Sequence, residues 1–107
     1  MKLVRAIALC AVTLAWTGHA VGAEHLVTQK SKSFSTKKLA IKVGDSVKFQ
    51  NDDAFPHNVF SLSDAKSFDL GSFGQGGSKT VTFDKPGTVE VECAVHPDMK
   101  MVVEVGK

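Results

Sequence analysis

The feature that most constrains the fold is a repeated alternation of apolar and polar residues in short segments, separated by turn-forming residues. In the clearest segment, Leu39, Ile41 and Val43 alternate with polar or small neighbours. A two-residue period is typical of a half-buried β-strand, and no segment keeps the 3.6-residue period of a helix. The same alternation recurs in the segments 47–50, 80–83, 88–93 and 101–105, and a further short segment spans 57–62. The sequence therefore predicts an all-β fold, either a sandwich or a small barrel.

The stretch from Ser63 to Gly77 is polar and rich in glycine. It is predicted to be a loop with little regular structure, with room for one helical turn between Ser61 and Phe68. Its glycines invite comparison with a phosphate-binding loop, but Ser78 breaks the required Gly-Lys-Ser/Thr spacing. The stretch also joins two predicted strands, whereas a phosphate-binding loop leads into a helix. A flexible connection between strands is the better interpretation.

The first 23 residues have the pattern of a secretory signal. Two basic residues precede an apolar run over 6–16, and small residues follow as far as Ala23. Cleavage after Ala23 gives a mature chain of residues 24–107, and cleavage after Ala20 is the alternative. The apolar run is too short to cross about 30 Å of hydrocarbon, so a stable membrane anchor is not expected. The chain is predicted to be exported to the periplasm.

The charge balance of the mature chain excludes one class of partner. The whole sequence has 13 basic and 11 acidic residues, and two of the basic residues, Lys2 and Arg5, belong to the predicted signal. The remainder is formally neutral and has no basic stripe for phosphates, so nucleic acid is not an expected partner. The length suits one small domain, expected to be a monomer.

The mature region contains a single cysteine, Cys93, because Cys10 lies within the predicted signal. No disulfide can form within such a chain. A lone thiol in an oxidising compartment is open to oxidation unless something occupies it. Metal ligation would protect the thiol, and simple burial in the core is the alternative.

The residues around Cys93 resemble a set of metal ligands. By the alternation of its strand Cys93 faces inward, and His96 and Met99 follow in the order Cys-x-x-His-Pro-x-Met. Thiolate, imidazole and thioether suit copper that cycles between Cu(I) and Cu(II), and two histidines, one cysteine and a weak axial methionine form a blue-copper site. His57 is the candidate for the second histidine. The other histidine of the mature region, His25, lies at its predicted terminus.

Two motifs make the resemblance specific. The segment Phe55-Pro56-His57-Asn58-Val59 resembles the first-ligand motif of plastocyanins, and the loop from Cys93 to Met99 resembles the short ligand loop of amicyanins. The likeness covers most of residues 39–105 and indicates a cupredoxin, a Greek-key β-sandwich with one copper ion at one end. It implies that His57, Cys93 and His96 are the equatorial ligands. It also implies that Asn58 connects the two ligand segments by hydrogen bonds.

The chain departs from the family at one position near the site. Ala94 stands where cupredoxins usually have Thr or Ser, so a side-chain hydrogen bond is missing there. No ligand is lost by this change.

Two methionines compete for the axial position. Met99 gives the amicyanin spacing and Met101 gives the plastocyanin spacing. In both groups the ligand is followed by β-branched residues four and six positions later. Counted from Met99 these positions are Val103 and Val105, whereas counted from Met101 they are Val105 and Lys107. The register favours Met99.

The resemblance implies a one-electron carrier that meets redox proteins transiently, with an apolar rim of Phe55, Pro56 and Pro97 around His96. A periplasmic copper-binding protein for copper tolerance or homeostasis is the alternative, because the ligands do not separate the two roles. A hydrolase using Cys93 as nucleophile lacks an evident orienting acid. A metal-free adhesion sandwich leaves the lone thiol unexplained. We therefore do not expect an enzyme.

Overall fold

The computed structural model describes residues 22–107, and within that range it contains nine β-strands and no helix. The predicted leader, 1–23, lies outside the described residues except for Gly22 and Ala23. The strands are β1 (Glu24–Lys30), β2 (Ser33–Phe34), β3 (Lys38–Lys42), β4 (Ser46–Asn51), β5 (His57–Ser63), β6 (Lys66–Phe73), β7 (Ser78–Thr82), β8 (Gly87–Glu92) and β9 (Lys100–Gly106). The prediction of an all-β sandwich is confirmed. No helix within residues 22–107 is long and apolar enough to cross a membrane.

The strands form two sheets that pack face to face. The four-stranded sheet has the order β2-β1-β4-β7, and the five-stranded sheet has the order β3-β9-β8-β5-β6. The pairs β1–β4 and β3–β9 are parallel, and the remaining pairs are antiparallel. The end of β4 and the start of β5 lie at one end of the sandwich, and so do the end of β8 and the start of β9. The connecting loops 52–56 and 93–99 therefore meet at that end.

The apolar residues of the alternating segments form the core between the sheets. In β9, for example, Met101, Val103 and Val105 are buried while Val102 and Glu104 are partly exposed. Four phenylalanines connect the sheets, since Phe34 and Phe68 pack against Phe49 and Phe68 also packs edge-on against Phe83. Full burial of each such side chain contributes about 1.5–3 kcal/mol to stability.

The prediction of a loop from Ser63 to Gly77 is wrong. Residues Lys66–Phe73 form β6, which pairs with β5 through a two-residue turn, and no helical turn occurs between Ser61 and Phe68. Phe68, Leu70 and Phe73 pack against the core while the polar residues between them face outward. A bulge near Gly71, whose φ is 73°, interrupts the alternation that would have revealed the strand.

Strands β1 and β2 were not predicted. They form a hairpin in which Lys30 lies opposite Ser33 and the two turn residues, Ser31 and Lys32, have φ of 54° and 58°. Positive φ at both central residues defines the tight hairpin turn that usually takes Asn-Gly. With Ser and Lys in these positions, the turn is strained and needs support from outside the hairpin.

Candidate metal centre

The candidate ligands lie at neighbouring strand ends of the five-stranded sheet. His57 is the first residue of β5, and Cys93 directly follows β8, which lies between β5 and β9. His96 and Met99 lie in the loop that connects β8 to β9. Strand pairing therefore brings together residues that are far apart in the sequence.

Three of the four predicted site residues converge on one point. Nδ1 of His57 lies 3.1 Å from Nδ1 of His96, and Sγ of Cys93 lies 3.8 Å from each of these nitrogens. A point equidistant from the three atoms is about 2.1 Å from each, close to the usual metal–nitrogen length of about 2.0–2.1 Å and metal–thiolate length of about 2.3 Å. His57 and Cys93 are buried and His96 is partly exposed. The donor set and its spacing thus fit a trigonal copper site.

Asp53 fixes the orientation of His57. The Nε2–H group of His57 donates to Oδ2 of Asp53 over 2.8 Å. The same carboxylate accepts the backbone N–H groups of Ser31, at 2.7 Å, and Lys32, at 3.0 Å. With Nε2 engaged, Nδ1 of His57 is left to face the site, as is usual for metal-binding histidines.

The Asp53 carboxylate is ionised at neutral pH. Burial raises its pKa, but hydrogen bonds from His57 and from the backbone of Lys32 and Ser31 outweigh burial and lower the pKa from 3.8 to about 2. The carboxylate is therefore charged when it supports the strained β1–β2 turn. One buried anion connects that turn to a candidate copper ligand.

Asn51 organises the loop that leads to His57. Its Nδ2 donates to the carbonyls of Phe55 and Phe73, both at 2.9 Å, and its Oδ1 accepts the backbone N–H of Asp53 at 2.8 Å. The side chain is fully buried. These bonds hold Asp53 and Phe55 in fixed positions on either side of the turn before His57.

Asn58 connects the two ligand segments, as the family resemblance implied. Its Oδ1 accepts the backbone N–H of Ala94 at 2.6 Å, and its own backbone N–H donates to Sγ of Cys93 at 3.5 Å. The bond to Ala94 uses only the backbone of that residue, so the missing Thr or Ser side chain does not break the connection.

The ligand loop is closed by its own backbone. Met99 donates its N–H to the carbonyl of His96 at 2.9 Å, and Cys93 donates its N–H to the carbonyl of Met99 at 3.3 Å. Met99 is 1% exposed and precedes β9, whereas Met101 is 2% exposed and lies within β9, opposite Val91. Met99 is thus the methionine that belongs to the closed loop.

His25 lies away from this site. It pairs with Val47 near the start of β4, and its Nε2 is 3.0 Å from Oδ2 of Asp45 at the opposite end of the sandwich. Asp45 also accepts the backbone N–H groups of Ala23 and Lys42. The hydrogen bond with His25 is the main cause that lowers the pKa of Asp45 below its ordinary value.

An apolar surface surrounds the exposed edge of His96. The ring of Phe55 lies 5.3 Å from that of His57 and 5.5 Å from that of His96, between centroids. Phe55 and Val95 are 37% and 57% exposed. Pro97, next to His96, is also exposed. The predicted rim therefore has a further member in Val95.

Sequence reasoning missed Asp53 and Asn51. The run Asn51-Asp52-Asp53 was interpreted only as the end of a strand, because these residue types are common in turns. The one available signal was the position of an acidic residue four places before a candidate ligand, and a sequence alone gives no reason to single it out.

Comparison with known proteins agrees with the fold and with copper binding. Residues 21–106 match the family of copper binding proteins described as the plastocyanin/azurin family. The chain belongs to this family, and it is a copper-binding cupredoxin. It is 35% identical to amicyanin of Paracoccus denitrificans, over 66% of this chain and 58% of that protein. It is 37% identical to chloroplastic plastocyanin of Physcomitrium patens, over 67% of this chain and 49% of that protein. The chain thus spans about half to three-fifths of the length of these relatives.

Solved structures show the same likeness. A reduced point mutant of amicyanin superposes with a TM-score of 0.71 at 30% identity, over 81% of this chain and 85% of that chain. A copper-containing nitrite reductase from Thermus scotoductus gives a TM-score of 0.75 at 28% identity, over 88% of this chain but only 25% of that chain. The likeness to the reductase therefore involves a quarter of the larger protein.

Proposed function

We propose that this chain is an exported one-electron carrier whose copper ion is held by His57, Cys93 and His96, with Met99 as weak axial ligand. The observation that carries the proposal is the triangle of two Nδ1 atoms and one Sγ, at 3.1 and 3.8 Å, with one imidazole partly exposed. Copper bound there supplies a couple between Cu(I) and Cu(II).

The ligand side chains are held by contacts that do not depend on the metal. Asp53 holds His57, Asn58 joins the segments of His57 and Cys93, and the backbone of Met99 closes the loop. A site supported in this way resists rearrangement when its charge changes. Small rearrangement between oxidation states is what rapid electron exchange requires.

The surroundings of His96 support brief contact with a partner. Phe55, Val95 and Pro97 offer a small apolar surface beside the one partly exposed ligand. Weak redox encounters use small interfaces, at the low end of the range for specific complexes. An electron can then leave through the His96 edge while His57 and Cys93 stay away from water.

Met99 is favoured as axial ligand by its place in the chain. It is buried at the end of the closed loop, and its carbonyl accepts the N–H of Cys93. Met101 lies two residues further along the chain, within β9, where it is paired with Val91. The register argument from Val103 and Val105 points the same way.

Export is proposed from the signal pattern of residues 1–23, whose removal after Ala23 leaves a mature chain of 24–107. The unpaired and buried Cys93 is compatible with an oxidising compartment, since neither disulfide exchange nor solvent reaches it easily.

The deciding experiment is a visible spectrum of the copper-loaded protein. A thiolate ligand gives Cu(II) an intense charge-transfer band, so the protein is expected to be blue and to bleach reversibly on one-electron reduction. Cys93→Ser should abolish the colour. His57→Ala should perturb the spectrum and respond to added imidazole, whereas the matched control His25→Ala should leave the spectrum unchanged. A Cys93→Ser protein that remains blue contradicts the ligand assignment.

The rate of electron exchange of the copper-loaded protein distinguishes electron transfer from copper storage. Rapid exchange of electrons with small redox reagents supports the carrier role. Slow exchange, together with copper sensitivity of cells that lack the protein, would favour copper tolerance or homeostasis.

A further inference from the structure

The charges of this chain are unevenly distributed along the sequence. Between Glu24 and Asp45 there are five lysines and no acidic residue. Because β1 runs parallel to β4, and β3 runs parallel to β9, most of these lysines come to the end of the sandwich that carries the metal centre. Together with a lysine that follows Met99 they form an exposed set, here called the lysine face, of Lys30, Lys32, Lys37, Lys38 and Lys100.

The lysine face is continuous with the surface of His96. One shallow depression is lined by Lys32, His96 and Asp98, with the apolar Val95 and Pro97. A second depression is lined by residues that include Lys37, Lys100 and again Asp98. Since Asp98 lines both, the surface runs without interruption from the exposed ligand to Lys37 and Lys100. Asp98 is the one acidic residue that lines either depression.

Lys32 is held in position beside the metal centre. Its Nζ lies 5.9 Å from the centroid of the Phe55 ring, which packs against His96. Its strained backbone is fixed by the carboxylate of Asp53, which also orients His57. A lysine on a fixed turn loses less conformational freedom on binding than one on a mobile loop, so its charge is well placed for docking.

Several acidic residues lie far from these lysines. Glu24 begins β1, Asp84 follows β7 and Glu104 lies near the end of β9, all toward the opposite end of the sandwich. Asp52, Asp53, Glu92 and Asp98 lie at the same end as the lysines but are outnumbered by them, so the lysine face beside His96 carries a net positive charge. Complementary surfaces steer association and fix orientation more than they add affinity.

We infer that the lysine face recruits a redox protein with an acidic surface and turns His96 toward that partner's redox centre. This partner class rests on the proposed electron-carrier function. Opposite charges attract the partner, and the apolar rim of Phe55, Val95 and Pro97 then makes the close contact. Steering of this kind raises association rates by about 10–10³-fold at low ionic strength.

The test compares two triple variants with the same net charge. The first is Lys32→Gln with Lys37→Gln and Lys100→Gln, and the control is Lys42→Gln with Lys85→Gln and Lys107→Gln, three exposed lysines at the opposite end. Oxidation of the reduced, copper-loaded protein by anionic hexacyanoferrate(III) is followed between about 0.01 M and about 1 M salt, where the Debye length falls from about 30 Å to about 3 Å. Cationic tris(phenanthroline)cobalt(III) serves as the oppositely charged oxidant.

We expect the first variant to react about tenfold more slowly with hexacyanoferrate(III) at low salt, and faster with the cobalt complex. Near 0.1 M salt, where the Debye length is about 10 Å, the control should change by less than about twofold, because its charges lie at the far end of the sandwich from His96. Equal slowing of both variants, or no slowing of either, overturns the inference.

A binding measurement separates this inference from the proposed function. Amide NMR shifts of the Cu(I) protein are recorded with an oligoglutamate peptide and with an oligolysine peptide. We expect shifts at residues 30–38 and 98–101 with oligoglutamate only. If the protein binds copper but transfers no electrons, the proposed function is wrong. If it transfers electrons but prefers neither the anionic oxidant nor oligoglutamate, the inference about the lysine face is wrong.

Discussion

Oδ2 of Asp53 lies 2.8 Å from Nε2 of His57 and 3.0 Å from the backbone nitrogen of Lys32, so a single oxygen serves a candidate ligand and a strained turn. Asp53 thus connects a candidate ligand in the five-stranded sheet to a hairpin of the four-stranded sheet. The orientation of His57 is consequently set by the protein fold and does not have to be imposed by copper.

Asp53→Asn tests this relationship directly. The amide keeps the shape, but it is neutral and cannot accept all three N–H groups. Loss of hydrogen bonds to a charged group should cost about 1.5–3 kcal/mol each where no substitute forms. The reduction potential of the copper should rise, because a nearby negative charge favours Cu(II) over Cu(I). Urea unfolding and voltammetry measure the two effects.

The control for this prediction is Asp45→Asn, which removes a comparable carboxylate that binds His25 at the far end. It should also lower stability, but it should leave the potential unchanged. An unchanged potential in the Asp53→Asn protein would show that this carboxylate has only a structural role.

Met99 and Met101 are distinguished by a pair of leucine variants. Leucine nearly preserves the volume and removes the sulfur, so each change should cost less than about 1.5 kcal/mol. Met99→Leu should shift the reduction potential and the spectrum, because the axial ligand tunes the copper. Met101→Leu should leave both unchanged. The opposite pattern would assign the ligand to Met101 and to the longer, plastocyanin-type loop.

Copper removal should lower the melting temperature. Copper at the proposed site would join the starts of β5 and β9 to the end of β8. A ligand that binds only the folded state stabilises it by about 2.7 kcal/mol at a hundredfold excess over Kd. For a domain of this size each 1 kcal/mol corresponds to about 4–8 °C. Calorimetry of apo and loaded protein measures the difference, and Cys93→Ser should reduce it. Identical melting of both forms, with bound copper verified, would be inconsistent with this coupling.

The two possible cleavage sites predict different stabilities. The N–H of Ala23 donates to Asp45 and its carbonyl accepts the N–H of Ser46. Cleavage after Ala20 retains both hydrogen bonds, whereas cleavage after Ala23 removes them. Each is worth about 0.5–1.5 kcal/mol, so a chain that starts at Val21 should unfold at a higher temperature than one that starts at Glu24. N-terminal sequencing of the exported protein identifies the natural form, and persistence of residues 1–20 would refute the signal.

Asp45 should make stability depend on acid. Its pKa is lowered in the folded chain, chiefly by the hydrogen bond with His25. A lowered pKa stabilises the fold at pH values above the ordinary carboxyl pKa of 3.8, and this contribution is lost as the pH falls through the lowered folded value. The Asp45→Asn variant should therefore have a lower melting temperature than the unmodified protein at pH 6, and the difference should narrow below pH 4. A gap that stays constant over this range would contradict the assignment.

The parts of the structure that the sequence revealed are those with strong local patterns. The strands with clean alternation were predicted, and the ligand motifs identified His57, Cys93 and His96 as a group. Strand β6 was missed because its apolar residues, Phe68 and Leu70, are separated from Phe73 by a bulge at Gly71. Asp53 was missed because its role depends on the path of two loops from different sheets, and no local pattern encodes such a meeting.

The parallel pairing of β3 with β9 has a consequence for how the chain folds. Lys38 lies opposite Val102, so β3 can pair only after β9, the last strand of the described residues, is available. Contacts between such distant segments slow folding, because loop closure precedes any gain from pairing. A growing chain therefore cannot complete its second sheet until β9 has been synthesised. Delayed closure of this kind would keep the chain in a form able to thread through a secretion channel.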